Sequence, residues 1–129
     1  MEINEILNNI HQKYQDAILL KEHGRHANAI YLSGYCVELA LKYAITKHLN
    51  WNKFQSDGKF KFLKVHDLDL LTSLTGQELA IKIMPAWSTV NQWSEVKRYS
   101  DPETATFDDA ESMLKAVKIL VEFLCKISL

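Results

Sequence analysis

The sequence predicts an all-α fold, an antiparallel up-and-down bundle of four to five main helices. Apolar residues recur at three- and four-residue steps through several long segments, capping signatures stand at the starts of some of them, and only two prolines and four glycines interrupt 129 residues. A chain of this length is sized to bury one core, so residues 1–129 are expected to form a single domain.

Each element follows from its own pattern. Ile3, Ile6, Leu7, Ile10, Tyr14, Ala17 and Ile18 form one stripe of a first helix, which Gly24 stops. The segment "GRHANAIYLSGYCVELALKYAI", residues 24–45, leaves almost no polar face and is expected to be the central helix, although it carries Glu38 and Lys42. A short helix is expected from about Asp67, with Leu68, Leu71 and Leu74 inward and Gly76 closing it. Thr75 to Glu78 has the spacing of a capping box for the next segment. Pro85 breaks or kinks that segment, and Trp87, Val90 and Trp93 continue beyond it at helical spacing. Thr106 and Asp109 form a second capping box, opening a last helix whose inward residues are Ala110, Met113, Leu114, Val117, Leu120, Val121 and Leu124. Short links between such helices imply an antiparallel bundle.

One stretch departs from helical spacing. "WNKFQSDGKFKFLKVHD", residues 51–67, alternates aromatic and basic residues about an Asp-Gly step. It reads either as a small hairpin over about 51–63, with Phe54 opposite Phe60 across a three-residue loop, or as an ordered loop whose aromatics cap the bundle while its lysines stay in water. Lys53, Lys59, Lys61 and Lys64 beside Trp51, Phe54, Phe60 and Phe62 also have the make-up of a single-strand stacking platform.

Composition excludes several classes. A net charge of −1 provides no global field for nucleic acid, so any such contact must be local. Glu38 and Lys42 interrupt the best apolar run well short of a membrane span, and Cys36 and Cys125 sit apart within apolar helical patterns, which points to a reduced, cytoplasmic protein. His23 and His26 lack the companions of a metal centre, and no glycine-rich phosphate loop, zinc-protease helix or nucleophile elbow is present. No metal and no cofactor is expected.

Three separated stretches together resemble the HEPN family of helical-bundle domains. The first is the central segment, with Glu38 and Lys42 in the places of that family's Glu and Lys. The second is "KVHDLDLL", residues 64–71, similar to a Lys-x-His-x-Leu segment that opens a short helix. The third is "WSEVKRYSD", residues 93–101, similar to an aromatic stretch ending in Arg-Tyr before the last long helix. Many members are metal-independent ribonucleases with an arginine followed, after four to six residues, by a histidine. Here Arg25 is followed at those places by Ile30, Tyr31 and Leu32, and Arg98 by Glu103, Thr104 and Ala105. The ribonuclease activity is therefore not carried over. The resemblance instead implies a catalytically inactive homodimer that binds a nucleotide or RNA, or that partners a nucleotidyltransferase in a defence or toxin-antitoxin-type system.

Glu38 and Lys42 stand one helical turn apart, and a lone buried charge is costly. The resolutions open to them are a mutual salt bridge, a partner such as His66, Arg98 or Tyr99, or exposure in a cleft. One reading makes them a structural polar network. The other makes Lys64, His66, Lys97, Arg98 and Tyr99 the border of a ligand pocket where phosphate meets cations and a base stacks on a ring. Two alternatives in function are a divergent endoribonuclease with His66 as base and Arg98 or Lys64 as phosphate clamp, and a purely structural protein-interaction bundle.

Overall fold

The computed structural model describes residues 1–95 and 101–129. Among them are six α-helices: α1 (Ile3–Glu22), α2 (His26–His48), α3 (Leu68–Ser73), α4 (Glu78–Lys82), α5 (Pro85–Glu95) and α6 (Phe107–Cys125), with 3-10 helices at Gly58–Leu63 and Pro102–Thr104. The all-α bundle expected from the sequence is therefore the fold. The described residues contain no β-strand and no helix long and apolar enough to cross a membrane.

The burial pattern explains the arrangement. α2 is the central helix: thirteen of its residues are buried, and it packs against both α1 and α6. α1 returns along it after a short link, as the amphipathic stripe of Ile6, Ile10, Tyr14 and Ala17 requires, and the Tyr14 hydroxyl donates to the Leu114 carbonyl of α6 at 3.2 Å. α2 and α6 run in the same direction, because the His26 ring meets the Phe107 ring at one end while Gly34 faces Met113 farther along. A Cβ on Gly34 would lie 3.3 Å from Met113 Cε, so this glycine leaves room for the tip of that side chain where the two helices meet.

Local chemistry sets the boundaries. Asp67 caps α3 by accepting from Leu70 N at 3.2 Å. Pro85 separates two helices: α4 ends at Lys82, and Pro85 occupies the first position of α5, where its missing N–H costs no helical bond. The Thr106–Asp109 capping box forms with both reciprocal bonds, 3.1 Å and 3.0 Å.

The second expected box, Thr75 to Glu78, does not form. The cap of α4 is Gln77, the Thr75 hydroxyl accepts from Gln77 N at 3.1 Å, and Glu78 reaches forward to Lys82. Thr75 is buried, so its hydroxyl closes the turn between α3 and α4 instead of capping the next helix.

Of the two readings of residues 51–63, the ordered loop is the one realised. Lys53 pairs with Glu2 in an isolated antiparallel bridge, the Phe54 N–H donates to the Met1 carbonyl at 2.9 Å, and a 3-10 helix follows. The chain start supplies the backbone partner that a hairpin would have found in its own second arm. Phe54 and Leu63 are buried, Trp51 packs edge-on to Phe60 at 4.7 Å, and Lys53, Lys59, Lys61 and Lys64 are exposed.

Candidate functional site

The buried middle of α2 carries the polar centre that the sequence singled out. Glu38 is 4% exposed and accepts from Lys42 Nζ at 3.2 Å through Oε2. Its other oxygen, Oε1, lies 2.9 Å from His66 Nδ1, so the ring nitrogen that faces the carboxylate is the one that carries a proton and donates. Lys42 is itself buried, with Nζ 5.5 Å from the centre of the Phe54 ring. Two of the expected resolutions are thus met together: Glu38 and Lys42 neutralise each other, and His66 takes the second carboxylate oxygen.

Glu38 and His66 also line a cleft of about 280 Å³. Its walls come from α2 (Tyr31, Gly34, Tyr35), from Leu68 of α3, from Trp93 near the end of α5 and from Met113 of α6, and the 3-10 helix at Pro102–Thr104 closes one side. Tyr31, Tyr35 and Glu38 recur at four and three residues on α2, which puts two rings and a carboxylate on one face. Tyr31 is 65% exposed at the rim, whereas Tyr35 is half-buried. Burial first, and then the negative charge of Glu38, holds the Tyr35 hydroxyl above its ordinary value of 10.0, so at neutral pH it is a protonated donor. The cleft therefore offers aromatic faces, a floor that accepts hydrogen bonds and an imidazole at its edge. A volume near the lower end of ligand pockets, about 300–1,000 Å³, suits a nucleobase-sized group.

The site residues expected from the sequence separate into three sets. Glu38, Lys42 and His66 come together. Lys64 is exposed, two residues before His66 in the chain but outside the cleft lining. Lys97, Arg98 and Tyr99 lie outside the described residues. The residues that sequence reasoning missed are Tyr31, Tyr35, Trp93 and Met113. The first two had a legible signal in their spacing to Glu38, while the other two reach the cleft only through the packing of α5 and α6.

No match was found among curated proteins or among solved structures. The HEPN domain family model matches residues 4–128, nearly the whole chain, and the chain therefore belongs to the HEPN domain family.

Proposed function

We propose that this HEPN domain is a binding module, without the family's arginine–histidine ribonuclease chemistry, that receives a nucleotide or the nucleotide unit of an RNA in the cleft. The observation that carries the reading is the cleft itself: the exposed Tyr31 offers a ring face for a base, Tyr35 and Trp93 add aromatic walls, and the Glu38–His66 pair supplies polar groups beside it. His66 is held at the edge by its bond to Glu38, which leaves Nε2 placed to accept from a hydroxyl. Lys97, Arg98 and Tyr99, just beyond α5 in the chain, are proposed as further ligand contacts on sequence grounds. In the family's pattern, such a module works as a homodimer and beside a nucleotidyltransferase.

Titration calorimetry with ATP, GTP and a short single-stranded RNA tests the reading. Saturable binding is expected, weakened on the order of tenfold or more in Tyr31→Ala, since stacking on one ring contributes about 1–3 kcal/mol per base. Tyr31 is exposed, so this variant keeps its fold. No binding to the folded wild-type chain by any of the three ligands removes the proposal.

A second reading, a metal-independent endoribonuclease, is favoured by one specific feature, the 2.9 Å contact between His66 and Glu38. A carboxylate on Nδ1 fixes the tautomer that leaves Nε2 free to take a proton, here from the 2′-hydroxyl, whose oxygen bonds to the adjacent phosphorus as the P–O5′ bond breaks and the departing 5′-oxygen takes a proton from His66 or from water. This reading requires RNA cleavage that persists in a chelator and disappears in His66→Ala; cleavage that survives the substitution excludes His66 as the base.

A further inference from the structure

The run of lysines and aromatic rings over residues 53–64 takes no part in lining the cleft. The 3-10 helix Gly58–Leu63 orders it. With three residues to a turn, residues three apart stand in line along such a helix, so its side chains are sorted into rows. One row, Phe60 and Leu63, turns inward: Leu63 is buried, and Phe60 packs edge-on to Trp51 at 4.7 Å. The other two rows, Lys59 with Phe62 and Lys61 with Lys64, stand in water, Lys64 as the residue that ends the helix.

The core does not account for the outward rows. Phe62 keeps 53% of its surface exposed, although Phe54, Phe60 and Leu63 of the same segment already pack against the core. The lysines have no anion. Among the described residues none of Lys53, Lys59, Lys61 and Lys64 enters an ion pair, whereas Lys21, Lys42, Lys82 and Lys115 do. Within residues 51–66 the one opposing carboxylate is Asp57, and the backbone bridge brings Glu2 beside Lys53. A chain of net charge −1 thus carries a local positive surface with an exposed ring set among its charges.

We infer that residues 59–64 are a platform for a single strand of nucleic acid, on which Lys59, Lys61 and Lys64 meet phosphates and Phe62 stacks on a base. A single strand presents both features that the surface matches, a line of phosphates and bases free of partners, whereas the bases of a duplex are closed to a ring. One ring among lysines offers too little apolar area to anchor in a membrane interface, which takes the apolar face of a whole helix. Lysine meets phosphate as a point charge on a flexible stem and reads no base edge, so the platform accepts strands of any sequence. This inference goes beyond the cleft reading and does not rest on it, because none of the platform residues lines the cleft.

The test is fluorescence anisotropy of a short labelled oligouridylate over a series of salt concentrations. A duplex RNA of the same length and phosphatidylserine vesicles are run beside it. Three phosphate contacts predict that log Kd rises with log salt at a slope of about 2, since each contact on a single strand contributes about 0.7. The double variant Lys61→Gln with Lys64→Gln is expected to lower that slope to about 0.7. Phe62→Ala is expected to weaken strand binding about fivefold or more at an unchanged slope, because a ring contributes stacking and no charge. Both effects are expected to persist in the Tyr31→Ala background, which removes the exposed ring of the cleft. The substituted platform residues are exposed, so the changes leave the fold intact. Affinity and slope retained in both platform variants, or strand binding lost only through Tyr31→Ala, overturns the platform and leaves the cleft reading standing. Equal binding of strand and duplex with no effect of Phe62→Ala also overturns it, as does binding to the vesicles without binding to the strand, which identifies a membrane surface. Strand binding that responds to the platform variants when ATP and GTP do not bind, and that is unchanged by Tyr31→Ala, supports the platform and removes the cleft reading.

Discussion

The His66 imidazole lies 2.9 Å from the Glu38 carboxylate, tying the segment before α3 to the buried middle of α2, and the same carboxylate holds Lys42 at 3.2 Å. Glu38 is thus the centre of a three-residue network with one exposed end, His66, and one buried end, Lys42.

Removing the centre of that network has a defined cost. Glu38→Ala leaves the buried Lys42 ammonium without its anion and is expected to destabilise the chain by about 3–5 kcal/mol. The double variant Glu38→Met with Lys42→Met, which removes both charges and retains volume, is expected to be about neutral. Urea unfolding measures both; a double variant as unstable as Glu38→Ala would show that packing around the pair, and not the orphaned charge, sets the loss.

Two glycines with left-handed backbones are expected to respond differently to alanine. Gly24 (φ 78°) has no neighbour within 4 Å of an added Cβ, so Gly24→Ala pays only the backbone penalty of about 1–2 kcal/mol. At Gly76 (φ 76°) the added carbon would fall 2.4 Å from His48 Cε1, so Gly76→Ala is expected to cost more. Adding His48→Ala should return its loss toward that of Gly24→Ala, as thermal unfolding of the set will show.

The thiols predict a pH dependence. Burial pushes Cys36 and Cys125 from an ordinary 9.0 up to about 12. Between those values the unfolded chain has released protons that the folded chain still holds, so their contribution to stability is complete below about 9 and declines as pH rises toward 12. The slope of stability against pH in that range should be shallower in Cys36→Ala with Cys125→Ala than in wild type. At pH 8, a thiol reagent is expected to label the folded wild type only as fast as the fold opens.

The last helix should depend on its cap. Thr106 is exposed and its hydroxyl accepts from Asp109 N at 3.1 Å, so Thr106→Ala is expected to cost about 0.5–2 kcal/mol while leaving ligand affinity unchanged. Chemical unfolding alongside the nucleotide titration measures the two effects separately.

By itself, the sequence determined which segments become helices, that α2 lies at the centre, that the chain breaks or kinks at Pro85, and that Thr106 and Asp109 open α6, while the structure decided that α4 and α5 are two helices. These are consequences of spacing over a few residues, where one face must be buried and the first N–H groups must find acceptors. The pairing of Glu38 with Lys42 was legible for the same reason, since they stand one turn apart. Only the tertiary structure decided the rest. Residues 51–63 form a loop because Met1 and Glu2, distant in sequence, supply the backbone partners. Thr75 closes a turn because packing buries it there. Tyr31, Tyr35, Trp93 and Met113 converge on one cleft because α5 and α6 cross the same stretch of α2. Periodicity states which face of each helix turns inward, while the register at which two such faces meet depends on side chains from both, and that register is what assembles the site.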